Sequence, residues 1–132
     1  MKIYFAHPVT SYGTPIEQRV LDELRLIKFQ VVNPNTPEHQ ENYQRLPREQ
    51  AFEYFLTLAR TCDACVFIPF EDGTIGSGVF KELETFFERG LKVYEFYSKV
   101  WPFVQRDLEQ LRDRALTIEE TREKINQLRR NE

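Results

Sequence analysis

Apolar positions in the first hundred residues follow two alternating patterns. Four short runs rich in β-branched and aromatic residues predict β-strands, at positions 2–6, 29–32, 64–69 and 91–97. Apolar residues spaced three and four apart predict helices between them, at positions 15–28, 52–59 and 79–87. Strands that alternate with amphipathic helices are typical of right-handed βαβ crossovers. The pattern therefore predicts an α/β fold with a parallel sheet of four to five strands.

A polar stretch at positions 34–47 interrupts this alternation, because it has no apolar period. Loops of this length in compact domains are usually functional or disordered. We therefore expect a long loop here, with Tyr43 as its candidate for stacking on a flat ligand. An inert surface loop is the alternative interpretation.

The pattern changes again after Pro102, where no further strand is predicted. Two stripes of apolar residues with helical spacing follow, at 104–115 and 118–128, and a capping box at Thr117 and Glu120 begins the second. We expect an α/β domain over 1–100 and a helical C-terminal extension over 101–132. The extension is predicted either to cap the sheet or to form a dimer interface.

Composition narrows the classes of partner. The chain has 132 residues, of which 41% are hydrophobic and 14% aromatic, enough for one core and too many for a disordered protein. Its 18 basic and 21 acidic residues give a net charge of -3, which argues against a duplex nucleic acid as partner. No apolar run approaches the roughly 20 residues that span a bilayer, and no signal sequence is evident. We expect no membrane partner, no metal, reduced cysteines and a cytoplasmic location.

Strand order locates the expected site. A flavodoxin-like order of 2-1-3-4 places the crevice beyond the carboxyl ends of strands one and three. The loop after strand one supplies four candidate binding residues: Ala6, His7, Pro8 and Gly13. The loop after strand three ends in Gly76, Ser77 and Gly78 at a helix N-terminus, a candidate anion site. Glu82 lies one turn further, as a catalytic candidate or as part of a solvated polar face.

Four segments carry a resemblance to a known family: KIYFAHP, CDACVF, GSGVFKELE and GLKVY. Over residues 2–97 the chain resembles the nucleoside 2-deoxyribosyltransferases, including their 2′-deoxynucleoside 5′-phosphate N-hydrolase branch. The resemblance implies that Glu82 is a nucleophile positioned by Tyr4. It also implies that no cofactor is needed, that an acid such as Asp72 protonates the leaving base, and that the chain forms a homodimer. The glycine turn at 76–78 is then the candidate anchor for a 5′-phosphate.

The resemblance implies a hydrolase or transferase acting on the N-glycosidic bond of a (deoxy)nucleoside or its 5′-monophosphate. Its chemistry is that of retaining glycosidases, in which a carboxylate attacks the anomeric carbon. Two positions at which the family carries an acid hold Phe55 and Gly76 instead. These substitutions support an alternative, an inactive nucleotide-binding sensor or interaction module of the same fold.

Overall fold

A computed structural model describes residues 1–97 and 102–131. The described residues form five β-strands, in chain order β1 (Lys2–Ala6), β2 (Gln30–Val32), β3 (Ala64–Phe67), β4 (Val93–Phe96) and β5 (Phe103–Gln105). They also form six α-helices: α1 (Pro15–Leu26), α2 (Pro37–Arg45), α3 (Arg48–Arg60), α4 (Ser77–Glu88), α5 (Leu108–Arg112) and α6 (Ile118–Arg130). A short 3-10 turn at Val9–Ser11 follows β1. The α/β class predicted from the sequence is confirmed.

The five strands form one mixed sheet in the order β2-β1-β3-β4-β5. The pairs β1 with β2, β1 with β3 and β3 with β4 are parallel, whereas β5 pairs with β4 in the antiparallel direction. The expectation that no strand follows Pro102 is therefore wrong. Three residues are too few for a visible alternation, and Val104 fits a helical stripe equally well. Strand four was predicted to end at Tyr97, whereas β4 ends one residue earlier, at Phe96. Residues 98–101 lie outside the described part of the chain.

Alternation along β1 sorts its side chains between two apolar layers. Ile3 and Phe5 pack with Val20 and Leu24 of α1 on one face of the sheet. Tyr4 and Ala6 point to the opposite face, where α3 and α4 contribute Ala59, Val79, Leu83 and Phe86. Successive side chains of a strand lie on opposite faces, so this register follows directly from the sequence. It directs the Tyr4 side chain towards α4.

The polar stretch predicted as a loop is the helix α2. Thr36 is its N-cap residue, and the Thr36 hydroxyl accepts a hydrogen bond from the His39 backbone N–H (3.2 Å). Pro37 occupies the first turn. No residue of α2 is buried, which explains why an apolar period could not reveal it. The Tyr54 hydroxyl of α3 holds the helix, with His39 Nδ1 at 2.7 Å and Asn42 Nδ2 at 3.0 Å.

Residues 102–131 pack against the preceding sheet. Besides β5, a bridge between Ile75 and Ala115 joins them, with the Ile75 N–H donating to the Arg114 carbonyl (2.8 Å). The predicted helix over 104–115 is only the five-residue α5, because its first residues belong to β5. No helix in the described ranges is long and apolar enough to span a membrane.

A buried carboxylate strengthens this attachment. The carboxylate of Glu95 in β4 accepts hydrogen bonds from both terminal guanidinium nitrogens of Arg114 (2.8 and 2.7 Å). It also accepts one from Nε of Arg106 (2.8 Å). Burial alone would raise the pKa of Glu95, but the hydrogen bonds from the two arginines outweigh it and lower the pKa. Arg114 Nε also donates to the Gly73 carbonyl (2.7 Å). The same ion cluster thus fixes the loop between β3 and α4, which borders the predicted crevice.

Candidate functional site

A cavity of about 210 Å³ lies beyond the carboxyl end of β1, between α2, α3, α4 and α6. Aromatic rings dominate its wall: Tyr12, Tyr43, Phe52, Phe55 and Phe70. The remaining lining residues are His7, Pro8, Val9, Gln40, Gly76, Gly78, Val79, Glu82, Thr121 and Ile125. The cavity thus brings together most of the first loop, the glycine turn and Glu82, as strand order predicts.

Tyr4 and Glu82 form the most constrained pair of the site. The Tyr4 hydroxyl donates a hydrogen bond to Glu82 Oε2, and the tyrosine ring is completely buried behind the carboxyl group. The pair forms because Tyr4 lies on the face of β1 that is covered by α4, under the second turn of that helix. Tyr4 is therefore a positioning residue, and Glu82 is the group that faces the cavity.

The buried surroundings of Glu82 raise the pKa of its carboxyl group. Burial raises the pKa of Glu82 to about 8, although the hydrogen bond from Tyr4 favours the charged form. Burial also raises the pKa of Tyr4 well above its ordinary value, and the neighbouring carboxylate adds to this shift. Burial therefore favours the protonated form of Glu82 at neutral pH, and the share of carboxylate grows as the pH rises towards 8 and beyond.

His7 lines the cavity, but its ring is fully engaged. Nδ1 lies 3.1 Å from the Phe5 carbonyl oxygen and Nε2 lies 2.8 Å from Glu17 Oε2, while the ring stacks on Phe5 at a centroid distance of 3.9 Å. Burial lowers the pKa of His7, and the hydrogen bonds to the two acceptors oppose this shift. The ring therefore shapes the first loop and has no free nitrogen for a ligand.

The Glu17 carboxylate also accepts hydrogen bonds that hold the first loop in place. Its carboxylate accepts the side-chain amide of Asn35 (2.8 Å) and the backbone N–H of Gly13 (3.1 Å). Burial would raise the pKa of Glu17, but these bonds and the bond to His7 lower it. Gly13 adopts a φ of 72° and does not line the cavity. Its role is to form the turn rather than to contact a ligand there.

The glycine turn is only partly available to a ligand. Gly76 and Gly78 line the cavity, but Ser77 does not, and its backbone N–H donates to Thr121 Oγ1 of α6 (2.9 Å). A Cβ at Gly76 would lie 3.1 Å from Thr121 Cγ2, so a larger residue there would push the Thr121 side chain away by a few tenths of an ångström. The turn therefore receives α6 where an anion was expected.

Two other predicted site residues lie away from the cavity lining. Asp72 is half-exposed, accepts hydrogen bonds from the Thr74 N–H and hydroxyl (3.0 and 2.6 Å), and forms an ion pair with Lys124. Ala6 is fully buried at the end of β1, and its carbonyl accepts the Ile68 N–H (3.2 Å). Neither residue is placed to touch a ligand held against Glu82.

Several cavity residues were not predicted from the sequence. Phe52 and Phe55 belong to the apolar stripe that predicts α3, and Gln40 lies in the polar stretch that has no apolar period. The Tyr43 and Phe55 rings meet at a centroid distance of 5.1 Å. Tyr12 is the remaining polar aromatic of the wall, and burial raises its pKa. A combination of aromatic residues from four separate segments has no signature along the chain.

Metal-binding and thiol chemistry have no structural support in the described part of the chain. No group of three or more His, Cys, Asp or Glu side chains converges there as a metal site. Cys62 and Cys65 are buried free thiols, and burial raises the pKa of each. A raised pKa makes the reactive thiolate scarce at neutral pH.

No protein-family model, no curated protein and no solved structure matches the chain. The resemblance to the nucleoside 2-deoxyribosyltransferases therefore depends on the motifs of this sequence. What it implies about activity is a hypothesis for the site described above.

Proposed function

We propose that this chain cleaves the N-glycosidic bond of a (deoxy)nucleoside with Glu82 as the nucleophile. One observation carries the proposal: a carboxyl group held from behind by the Tyr4 hydroxyl faces an aromatic cavity at the carboxyl end of the sheet. Ligands of open α/β sheets bind at this edge. The order of β2, β1, β3 and β4 supports assigning the fold to the flavodoxin-like group.

The aromatic wall supports a flat heterocycle as part of the ligand. Rings of Tyr43, Phe55 and Phe52 line one side of the cavity, and the Gln40 amide supplies a polar group among them. Stacking of a base on an aromatic side chain contributes about 1–3 kcal/mol and tolerates any base. A nucleoside with its base on this side would bring its sugar towards Glu82.

The proposed reaction has two displacements. A Glu82 carboxylate oxygen attacks C1′, the C1′–N bond breaks, and its electron pair leaves with the base, which takes a proton from water. Water or a second base then attacks C1′ of the glycosyl ester and releases the Glu82 carboxylate. Water gives a hydrolase and a second base gives a transferase. Asp72 is not part of this scheme, because its carboxylate is paired with Lys124 outside the cavity.

One observation favours a second candidate, a nucleoside-binding module without turnover. Glu82 is the only acidic side chain among the residues that line the cavity in the described part of the chain. Proton transfer from a positioned acid contributes about 10²–10⁴-fold to such reactions. A site without such an acid loses that contribution to the rate, which favours binding of the ligand with little cleavage of the glycosidic bond.

Release of free base separates the two candidates. The four common deoxynucleosides are incubated at pH 8.5 with the wild type, with Glu82→Gln and with Glu88→Gln, an exposed glutamate of the same helix. Catalysis predicts that Glu82→Gln lowers the rate by about 10³-fold or more, whereas Glu88→Gln behaves as the wild type. Binding by calorimetry without base release from any substrate would support the module. Turnover that survives Glu82→Gln would refute the nucleophile.

A homodimer is a further proposal, supported by the apolar stripe of α6. Ile118 is 52% exposed, and Ile125 and Leu128 are only partly covered by their own chain. Light scattering at micromolar concentration tests this point. A monomer mass would contradict the proposal.

A further inference from the structure

The Thr121 hydroxyl joins α6 to the first turn of α4 and both accepts and donates a hydrogen bond. Oγ1 accepts the Ser77 backbone N–H at 2.9 Å and donates to the Thr117 carbonyl at 2.7 Å. The first N–H groups of a helix have no partner within the helix and are the groups that bind phosphate oxygens. Here the chain itself supplies the oxygen atom that takes the Ser77 N–H.

The Thr121 methyl group also occupies space over the turn. Cγ2 lies 3.1 Å from the position of a Cβ at Gly76, and Phe70 Cε2 lies 3.4 Å from that position. The backbone at Gly76 is therefore covered by the Thr121 side chain and the Phe70 ring. A phosphate group needs both the free N–H groups and room beside them, so α6 would have to move before a phosphate could enter.

Among the described residues that line the cavity, no cation is present that could attract a phosphate in place of the covered helix N-terminus. The cavity wall contains no lysine or arginine. Lys124 lies over the Phe70 ring at 5.7 Å but is paired with Asp72, and the exposed Lys81 lies over the Phe52 ring at 5.1 Å. The Glu82 carboxylate of the reactive form would repel a phosphate dianion.

We propose that Thr121 is a specificity-determining residue that fills the anion position at the N-terminus of α4, so that the site accepts nucleosides with a free 5′-hydroxyl and excludes their 5′-monophosphates. This inference rests on the proposed function, because it selects within one substrate class. The filled position is the main source of this selection, and repulsion by the Glu82 carboxylate acts in the same direction. An analogue that leaves a hydrogen-bonding group unpaired, or that must displace a made bond, binds more weakly by about tenfold or more.

A titration with inorganic phosphate tests the filled position without any turnover. Backbone amide spectra are recorded for the wild type and three variants: Thr121→Ala opens the position, Thr121→Ser keeps the hydroxyl, and Thr121→Val keeps the bulk. We expect millimolar phosphate to shift the Ser77 and Gly78 amide signals in Thr121→Ala, and to leave them unchanged in the wild type and Thr121→Ser. The Val variant separates bulk from hydrogen bonding, and no shift is expected there either.

Phosphate-dependent shifts of the Ser77 amide in the wild type, or their absence from a folded Thr121→Ala, would overturn the inference. Thermal melting shows whether each variant is folded, and Thr121→Ser is the matched control for small changes in stability.

Substrate preference gives the second readout. Dissociation constants are measured for each deoxynucleoside and its 5′-monophosphate, with the catalytic reaction blocked by Glu82→Gln in every protein compared. The Glu82→Gln protein should prefer the nucleoside by about tenfold or more, and adding Thr121→Ala should reduce that ratio about tenfold. Equal or tighter binding of the monophosphate before Thr121 is changed would overturn the inference. If no nucleoside binds, the proposed function fails, and the phosphate titration still decides the role of Thr121.

Discussion

The cavity has two walls of different construction. The inner wall is formed by β1 and α4, whose side chains Tyr4, Leu83 and Phe86 are completely buried. The outer wall is formed by α2 and α6, and neither helix has a single buried residue. Polar contacts hold the outer wall: α2 meets the Tyr54 hydroxyl, and α6 meets Ser77 through Thr121.

The two walls suit different tasks: the packed inner wall can hold a reacting group in place, and the exposed outer wall can let a ligand enter. A nucleophile must be held close to its productive geometry, and the dense packing behind Glu82 provides this. Helices without buried residues, such as α2 and α6, are the segments expected to open most easily and so to admit a ligand. We therefore place catalysis on the inner wall and admission and selectivity on the outer wall.

Matched truncations in the two walls test this comparison most severely. Leu83→Ala in α4 should lower the free energy of unfolding by about 2–5 kcal/mol, because it leaves a cavity in a fully packed layer. Leu128→Ala in α6 removes the same atoms from a partly exposed position and should lower it by about 1 kcal/mol or less. Urea denaturation measures both values. Equal losses would show that the walls do not differ.

The pH dependence of base release tests the inner wall. In the proposed reaction the attacking group is the Glu82 carboxylate, and burial raises the pKa of Glu82 to about 8. We therefore expect kcat/KM to rise about tenfold per pH unit up to pH 8 and to level off above it. Activity at pH 6 is then about 100-fold below the plateau. Steady-state rates between pH 5.5 and 9.5 measure the profile. A rate that falls as pH rises through 8 would make Glu82 a proton donor instead.

Replacement of Tyr4 sharpens the same point. Tyr4→Phe removes the hydrogen bond that favours the charged form of Glu82, so the pKa of Glu82 should rise further. We expect the midpoint of the pH profile to move upward by about one unit and activity at pH 7 to fall about tenfold. Tyr94→Phe, which also removes one tyrosine hydroxyl but belongs to β4, is the control. An unchanged midpoint in Tyr4→Phe would remove Tyr4 from the positioning role.

Loosening the outer wall should have the smallest effect. Tyr54→Phe leaves His39 and Asn42 without their shared partner, which should lower the free energy of unfolding by about 1 kcal/mol. KM should rise severalfold while kcat stays within about twofold, because Glu82 is untouched. Steady-state kinetics at saturating and limiting substrate measure the two values. A large fall in kcat would contradict the division between the walls.

The inner wall was predictable from the sequence. The continuous apolar run of β1 and the three- and four-residue spacing in α4 are strong signals along the chain, and both come from burial. Placing β1 beside β3 then brings Tyr4 under Glu82, as the resemblance implies. The hydrogen bond between these two side chains is the part of the site that the sequence predicts best.

The outer wall was predictable only in part. The capping box at Thr117 and Glu120 correctly predicted the start of α6, but the surface against which this helix packs was not predictable. A helix without buried residues, such as α2, has no apolar period, and only the Thr36-Pro37 start marks it. Thr121 belongs to a stripe that fits a cap and a dimer interface equally well, and its contact with Ser77 joins positions 44 residues apart. The ion pair between Asp72 and Lys124 was not predictable either, because Lys124 lies in the C-terminal segment, 52 residues further along the chain.

Direct detection of the glycosyl ester tests the central claim that Glu82 attacks C1′. The protein is mixed with excess deoxynucleoside, quenched in acid over a series of times, and analysed by mass spectrometry of the intact chain and of its peptides. The account predicts one added deoxyribosyl group, located at Glu82 and absent from Glu82→Gln. Base release that proceeds at its full rate with no ester at any time, or an ester on another side chain, would contradict it.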